Sequence, residues 1–248
     1  MIEFLNISFV PTKEIAKSKL EKIINMKKKG YICVVDTNIA IEVKRSKEYK
    51  KTINSSIFNI CDSSWISILY NIVHKDNIND YKGPDFFLDT IKKEKYVSFF
   101  LGSTNEILTH LKSFLCKIDP QISQMMFYSP PFVAVENFNY VDIAKRINDS
   151  GAQIVWVGLG APKQEKFMEN ILPYIENAIL VGVGAAYVLC SEYEKYKRAP
   201  KFMQKLKVEW VYRIYLEPKK QIKRMSRVIV QLPLLFFSYL LFEKHRNK

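Results

Sequence analysis

Four short segments of this 248-residue chain combine glycines with hydroxyl, amide or carboxylate side chains, and each follows an apolar run. They are Asp36-Thr37-Asn38, Gly102-Ser103-Thr104, the stretch 158–164 with Gly158, Gly160, Pro162 and Gln164, and the stretch 182–186 with Gly182 and Gly184. Free backbone N–H groups and the positive dipole end at the start of a helix attract phosphate. A tight turn explains any one of these segments, so it is their convergence at one sheet edge that predicts a nucleotide-binding site.

The common sequence signatures of phosphate and metal sites are missing. The chain contains neither GxGxxG nor the GxxxxGK[ST] loop. It has no DxD pair of carboxylates, so a Mg²⁺ or Mn²⁺ clamp is not indicated, and its four cysteines form no CxxC or Cys/His pattern. We therefore expect no metal site, no cofactor and a reducing compartment.

Apolar runs alternating with amphipathic segments predict the elements that position these loops. Strands are expected at residues 31–35, 96–101, 124–128, 154–157 and 179–181, and helices at 11–30, 103–115 and 163–171. Gly30 is expected to close the first of these helices. Buried strands that alternate with helices form parallel sheets, so the fold class is α/β with a mostly parallel sheet.

Positive charge is concentrated near the C-terminal end. Residues 195–248 contain 15 Lys and Arg against 3 acidic residues, while the whole chain has a net charge of +13. This asymmetry divides the chain into a nearly neutral domain, residues 1–194, and a basic appendage, residues 195–248. A cationic segment of this kind attracts polyanions such as anionic lipids or diphosphates.

The appendage also contains an apolar run at residues 228–242. Its ~15 residues fall short of the roughly 20 that span a bilayer. Basic flanks and aromatic residues predict a helical segment lying on an anionic membrane surface; docking on the body or on a second copy in a homo-oligomer is the alternative. The apolar residues are contiguous rather than interleaved with Lys and Arg, so nucleic acid is not an expected partner. The start of the chain lacks the pattern of a signal peptide.

An ordered set of motifs between residues 31 and 227 resembles the WecG/TagA/CpsF family of bacterial glycosyltransferases and is N-acetylmannosaminyltransferase-like. The motifs are FLGSTNE at 100–106, SPPF at 129–132, GLGAPKQE at 158–165, GVGAA at 182–186, RAP at 198–200 and EWVYR at 209–213 followed by Glu217-Pro218. The resemblance implies a Rossmann-like fold with helices on both faces. It also implies inverting transfer of a hexosamine-type sugar from a UDP-sugar to a polyprenyl-diphosphate-linked sugar in cell-surface polysaccharide or teichoic acid synthesis. The enzyme would act peripherally at the cytoplasmic face of the membrane.

The resemblance also implies roles for individual residues. Asp62 matches the catalytic aspartate, which would be the general base. The family's Thr-x-Asn aligns its asparagine with Asn38 but its threonine with Asp36, and Thr37 stands one place later; Asp36 is thus a rival base. Gln164 matches the active-site glutamine, although it could equally cap its own helix. The implied diphosphate-binding cations are Arg198, Arg213, Lys220, Lys223 and Arg224, which would serve in place of a metal.

Departures from the family pattern leave a second function open. Ser63 replaces the glycine that follows the catalytic aspartate, and two of the family's arginines are Lys220 and Lys223. Lysine supplies the charge of arginine but not its bidentate geometry. The alternative is therefore a catalytically altered, membrane-bound relative that binds nucleotide sugars without transferring them.

Overall fold

The computed structural model describes residues 1–191, 199–206, 209–216 and 218–246. Within them, eight strands form one sheet in the order β1-β2-β4-β3-β8-β7-β5-β6. The strands are β1 (Ile2–Phe4), β2 (Ile7–Phe9), β3 (Gly30–Val35), β4 (Phe58–Cys61), β5 (Ser98–Gly102), β6 (Met126–Tyr128), β7 (Ile154–Gly158) and β8 (Ile179–Gly182). Only the pair β1 and β2 is antiparallel; every other described pairing is parallel.

Helices connect the strands and cover the sheet. The α-helices are α1 (Lys13–Asn25), α2 (Thr37–Arg45), α3 (Lys47–Asn54), α4 (Ser64–His74), α5 (Gly83–Ile91), α6 (Asn105–Cys116), α7 (Tyr140–Asp149), α8 (Lys163–Ile171), α9 (Ala186–Cys190), α10 (Lys201–Lys205), α11 (Glu209–Leu216) and α12 (Pro218–Arg246). Short 3-10 helices lie at Pro120–Gln124, Val135–Asn137 and Leu172–Tyr174.

Two apolar clusters, one on each face of the sheet, form the core. Alternate residues of β3 divide between them: Cys33 and Val35 belong to one cluster, and Ile32 and Val34 to the other. This division follows from the pleat, which points successive side chains to opposite faces. The first cluster includes residues of α2, α3, α7, α8 and α12, and the second includes residues of α1, α5, α6 and α9. The prediction of a Rossmann-like α/β sheet with helices on both faces is confirmed.

The predicted first helix is too long. It extends from Lys13 to Asn25 rather than from residue 11 to residue 30, and Thr12 caps it by accepting a hydrogen bond from the Ile15 amide. Lys27 adopts φ 51°, a left-handed conformation that ends the helix. Gly30 does not close the helix, because it is already the first residue of β3.

The apolar run of the appendage lies within α12, and one face of this helix docks on the body. Tyr239 is fully buried; its ring centroid lies 4.4 Å from that of Phe4. Its hydroxyl lies 2.6 Å from His74 Nε2 and donates to the carbonyl oxygen of Glu3 at 3.3 Å. Val228 and Leu235 belong to the same core cluster. The buried face of the apolar run therefore docks on the body, as the alternative prediction had it.

Candidate active site

A cavity of about 520 Å³ lies at the carboxyl ends of β3, β4, β7 and β8. Its volume suits a small-molecule ligand, and this edge of a parallel sheet is where such folds bind ligands. Nine of the predicted site residues line it: Asp36, Asn38, Asp62, Gly158, Gly160, Pro162, Gln164, Gly182 and Gly184.

Asp62 follows β4 and is held by the start of α5. Its Oδ1 accepts a hydrogen bond from the Gly83 amide at 3.1 Å. The N-terminus of a helix stabilises negative charge, so this contact favours the carboxylate form. The other oxygen, Oδ2, lies 4.0 Å from the place a Cβ on Gly83 would take. The geometry presents a fixed, ionisable oxygen pair at the cavity wall.

Lys82 is a half-buried cation next to the Asp62 turn. Its Nζ donates to the carbonyl oxygen of Asp62 at 2.8 Å and to Ser64 Oγ at 3.1 Å, and it forms an ion pair with Asp80 at 3.0 Å. Burial lowers the pKa of Lys82, but the carboxylates of Asp62, Asp80 and Glu209 outweigh it, and the net pKa is raised. Lys82 therefore stays charged and ties the Asp62 turn to the loop before α5.

Asp36 and Thr37 occupy structural positions at the start of α2. Asp36 is the N-cap, and its Oδ1 accepts from the Ile39 amide at 2.9 Å. Thr37 is buried, and its hydroxyl lies 2.6 Å from Ser63 Oγ, which itself caps α4. Asp36 lines the cavity, whereas Thr37 is not among the described residues that do so.

Gln164 ties the loop after β7 to its own helix. Its Oε1 accepts from the Gly160 amide at 3.1 Å, and its Nε2 donates to Glu165 Oε1 at 2.8 Å. The N-cap of α8, Pro162, has no side-chain cap, and Gln164 in the first turn reaches back to the Gly160 amide, so its predicted roles in ligand binding and at the helix end both remain predictions. Its amide is buried yet borders the cavity.

The predicted residues Gly102, Ser103 and Thr104 lie one strand farther out. Gly102 pairs with Gly158 because β5 is the outer neighbour of β7. Thr104 caps α6 by accepting from the Ile107 amide, and the carbonyl oxygen of Ser103 accepts from Ser129 Oγ. None of the three is among the described residues that line the cavity. Gly102 thus lies beside Gly158, at the start of the 158–164 loop.

Gly102→Ala is expected to destabilise the protein by about 2–4 kcal/mol. Gly102 has φ +116°, and an added Cβ would lie 2.7 Å from the backbone carbonyl carbon and oxygen of Gly158. The matched control is Gly151→Ala, because Gly151 has φ +64° and nothing within 4 Å of an added Cβ. Urea denaturation should show a loss of about 1 kcal/mol for the control. Equal losses would mean that backbone conformation, not the approach of β7, sets the cost.

The predicted cations cannot all be placed. Arg198 lies outside the described residues. Arg213 is in α11, and Lys220, Lys223 and Arg224 are in α12, but their side chains are outside what the structure describes. At the start of α11, the Glu209 carboxylate is one of the charges that raise the pKa of Lys82.

Several residues around the cavity were missed from the sequence. Glu42 and Tyr49 line it from α2 and α3, helices that the apolar pattern did not predict. Lys82 carries no sequence signal, since an isolated lysine before Gly-Pro resembles any surface lysine. Glu165 did have a signal, because it directly follows Gln164 in the GLGAPKQE motif.

Comparison with known proteins assigns the family. The model of the family described as "Glycosyl transferase WecG/TagA/CpsF family" matches residues 2–247. A relative from Bacillus subtilis (strain 168) is 28% identical over 211 residues, which are 84% of this chain and 80% of the relative. That relative is an N-acetylglucosaminyldiphosphoundecaprenol N-acetyl-beta-D-mannosaminyltransferase. With a family match over nearly its whole length, the chain belongs to the WecG/TagA/CpsF family and is a glycosyltransferase.

Proposed function

We propose that this enzyme transfers a hexosamine-type sugar from a UDP-sugar to a polyprenyl-diphosphate-linked sugar, with inversion at the anomeric carbon. One observation carries the proposal. Asp62, which follows β4 and accepts a hydrogen bond from the first residue of α5, lines the same cavity as the glycine-rich loops. The name of the Bacillus subtilis relative supports both the kind of acceptor and the kind of sugar.

The reaction needs a base and a stabilised leaving group. In the proposed step the acceptor hydroxyl attacks the anomeric carbon and gives its proton to Asp62, while the bond to the diphosphate breaks and UDP departs with the electron pair. Asp62 suits this role because its carboxylate is oriented by the Gly83 amide and backed by charged Lys82. Asp36, whose Oδ1 caps α2, lines the same cavity and is the rival base.

The leaving diphosphate would be neutralised by the appendage. Arg198, Arg213, Lys220, Lys223 and Arg224 are the proposed cations. The charge of Glu209, at the start of α11, acts on Lys82, which binds the carbonyl oxygen of Asp62, and this supports the arrangement. On this proposal, residues 195–248 complete a site whose other walls come from residues 1–194.

We further propose that α12 rests on an anionic membrane surface at the cytoplasmic face. Val230, Leu234, Phe237 and Leu241 are 56–63% exposed, and their spacing places them along one stripe of the helix. This outer stripe lies opposite the buried stripe of Val228, Leu235 and Tyr239. A helix that is apolar on both faces needs an apolar partner on each. The body covers one face, and lipid would cover the other, aided by the basic residues of the appendage.

No helix in the described part of the chain is both long and apolar enough to cross a membrane.

The test of the proposed function is release of UDP from candidate UDP-sugars in the presence of polyprenyl-diphosphate-linked N-acetylglucosamine. Release is expected only when the acceptor and a UDP-N-acetylhexosamine are both present. We expect it to persist in EDTA, because the sequence has no DxD and the described residues include no cluster of three or more metal-ligating side chains. If UDP release is lost in EDTA and recovers when Mg²⁺ or Mn²⁺ is added, a metal ion rather than the appendage cations neutralises the leaving diphosphate. No release from any donor would contradict the proposed reaction.

A further inference from the structure

A fully buried carboxylate, Glu165, lies beside the cavity and takes no part in the reaction proposed above. Its Oε1 accepts from Gln164 Nε2 at 2.8 Å, and its Oε2 accepts from the Tyr49 hydroxyl at 3.0 Å. Glu165 has no exposed surface. Burying a carboxylate is costly unless it is well hydrogen-bonded, so its presence here calls for a compensating function.

The contacts of Glu165 determine which way the Gln164 amide faces. A carboxylate can only accept hydrogen bonds, and the backbone amide of Gly160 can only donate one. Gln164 Nε2 must therefore face Glu165 while Oε1 faces Gly160. Turning the amide over would break both bonds and set like groups against each other. The second N–H of Nε2 has no partner within the part of the chain that is described, and Gln164 borders the cavity.

We propose that Glu165 is a positioning residue, which holds Gln164 so that its free N–H meets an acceptor oxygen of the bound nucleotide sugar. This inference rests on the proposed function and makes it more specific. The stronger acceptors on such a ligand are a diphosphate oxygen and the carbonyl oxygen of an N-acetyl group, both better acceptors than a sugar hydroxyl. A hydroxyl-only sugar such as glucose lacks the second of these.

The protonation state of Glu165 should control this arrangement. The groups that face it are Tyr49 from α3, Asp36 from the N-cap of α2 and Cys33 from β3. The charge of Glu169 in α8 also acts on this cluster, since it raises the pKa of Cys33. Burial raises the pKa of Glu165 to about 7; hydrogen bonds from Gln164 and Tyr49 oppose the rise, and the charge of Asp36 adds to it. Below that pH the protonated acid is a weaker acceptor and can itself donate, so the bond that holds Gln164 Nε2 is lost and only the Gly160 amide still orients the side chain. Ligand affinity should therefore fall as the pH falls through about 7.

The experiment measures binding of UDP-N-acetylglucosamine and UDP-glucose by calorimetry between pH 6 and 8.5, using the full chain. Both ligands are diphosphate diesters, which do not titrate in this range. For the wild type we expect affinity to weaken several-fold, approaching tenfold, towards pH 6, on the scale of one lost hydrogen bond to a charged group. Glu165→Gln should be about tenfold weaker at pH 8.5 and independent of pH, because a glutamine can donate as well as accept.

Tyr49→Phe is the matched variant. It keeps the carboxylate that holds Gln164 but removes a hydrogen bond that lowers its pKa. The pH midpoint of binding should therefore move upward relative to the wild type, which a purely structural role or a lost cavity contact would not produce. This second variant also keeps the test decisive if Glu165→Gln does not fold. Equal losses for the two ligands would place the acceptor oxygen in the UDP portion, and a loss confined to UDP-N-acetylglucosamine would place it in the acetamide.

Two outcomes would count against the inference in different ways. If the wild type binds and both variants match its affinity at every pH, Glu165 has no positioning role, while the proposed function stands. If the wild type binds neither ligand, the proposed donor class is wrong, and the inference falls with it.

Discussion

Asp62→Asn is expected to lower the turnover number by about 10²–10⁴-fold, the usual contribution of a general base. Asparagine retains the oxygen that accepts from the Gly83 amide, so the turn after β4 should keep its shape. A base acts only in the chemical step, and binding of the donor should therefore survive. Steady-state release of UDP, combined with calorimetric binding of the donor, separates the two effects.

Asp36→Asn is the control for this prediction. Asparagine caps helices about as well as aspartate, so α2 should begin normally, and near-normal turnover is expected. Both carboxylates line the same cavity, which makes the pair a sharp comparison. An inactive Asp36→Asn beside an active Asp62→Asn would transfer the role of base to Asp36.

Replacing the outer stripe of α12, residues Val230, Leu234, Phe237 and Leu241, with glutamine is expected to weaken binding to anionic vesicles by roughly 10²–10³-fold. Each side chain would lose about 1 kcal/mol of apolar burial in lipid. These residues are exposed and absent from the core clusters, so the free energy of unfolding should change by less than about 1 kcal/mol. Vesicle co-sedimentation and urea denaturation measure the two quantities.

The buried stripe should respond in the opposite way. Leu235→Ala removes a side chain from the core and is expected to cost about 2–5 kcal/mol of stability, while the folded protein still binds vesicles. For the same reason, deleting residues 228–248 would not leave an intact body, because Val228, Leu235 and Tyr239 would all be lost. Unchanged vesicle binding by the outer-stripe variant, together with a smaller assembly on size exclusion, would assign that face to a second copy of the chain.

The central strands could be predicted because each is apolar throughout. The runs at 31–35, 154–157 and 179–181 correspond to β3, β7 and β8 within one residue. β4 was missed because Asn59 interrupts its apolar pattern. Asn59 is nevertheless buried: its Nδ2 donates to Ser8 O and Ile53 O, and its Oδ1 accepts from Ser56 Oγ. Those partners are set by tertiary structure and leave no periodic signal.

The N-terminal hairpin was missed for a different reason. β1 and β2 have three residues each, and their turn is Leu5-Asn6, with φ 51° and 62°. Turns with this conformation usually contain glycine. A leucine at the first position therefore does not indicate a hairpin turn.

The candidate site was likewise predictable only in part. Its loops could be predicted, because small and polar residues after apolar strands are visible in sequence. The side chains that orient them could not. Lys82 reaches the Asp62 turn from 20 residues away, and Tyr49 reaches Glu165 across 116 residues. Partners so far apart are brought together by the order of the strands, which local patterns do not encode.

The hydrogen bond from Tyr239 to the carbonyl oxygen of Glu3 joins residues 236 apart, nearly the two ends of the chain. Contacts between residues so far apart in sequence slow folding, because the chain must close the long segment between them at a cost in entropy. During synthesis the ring of Phe4 is made long before its partner Tyr239, so the N-terminal hairpin has an uncovered apolar side until α12 leaves the ribosome. The helix proposed to meet the membrane thus also shields the hairpin in the folded protein.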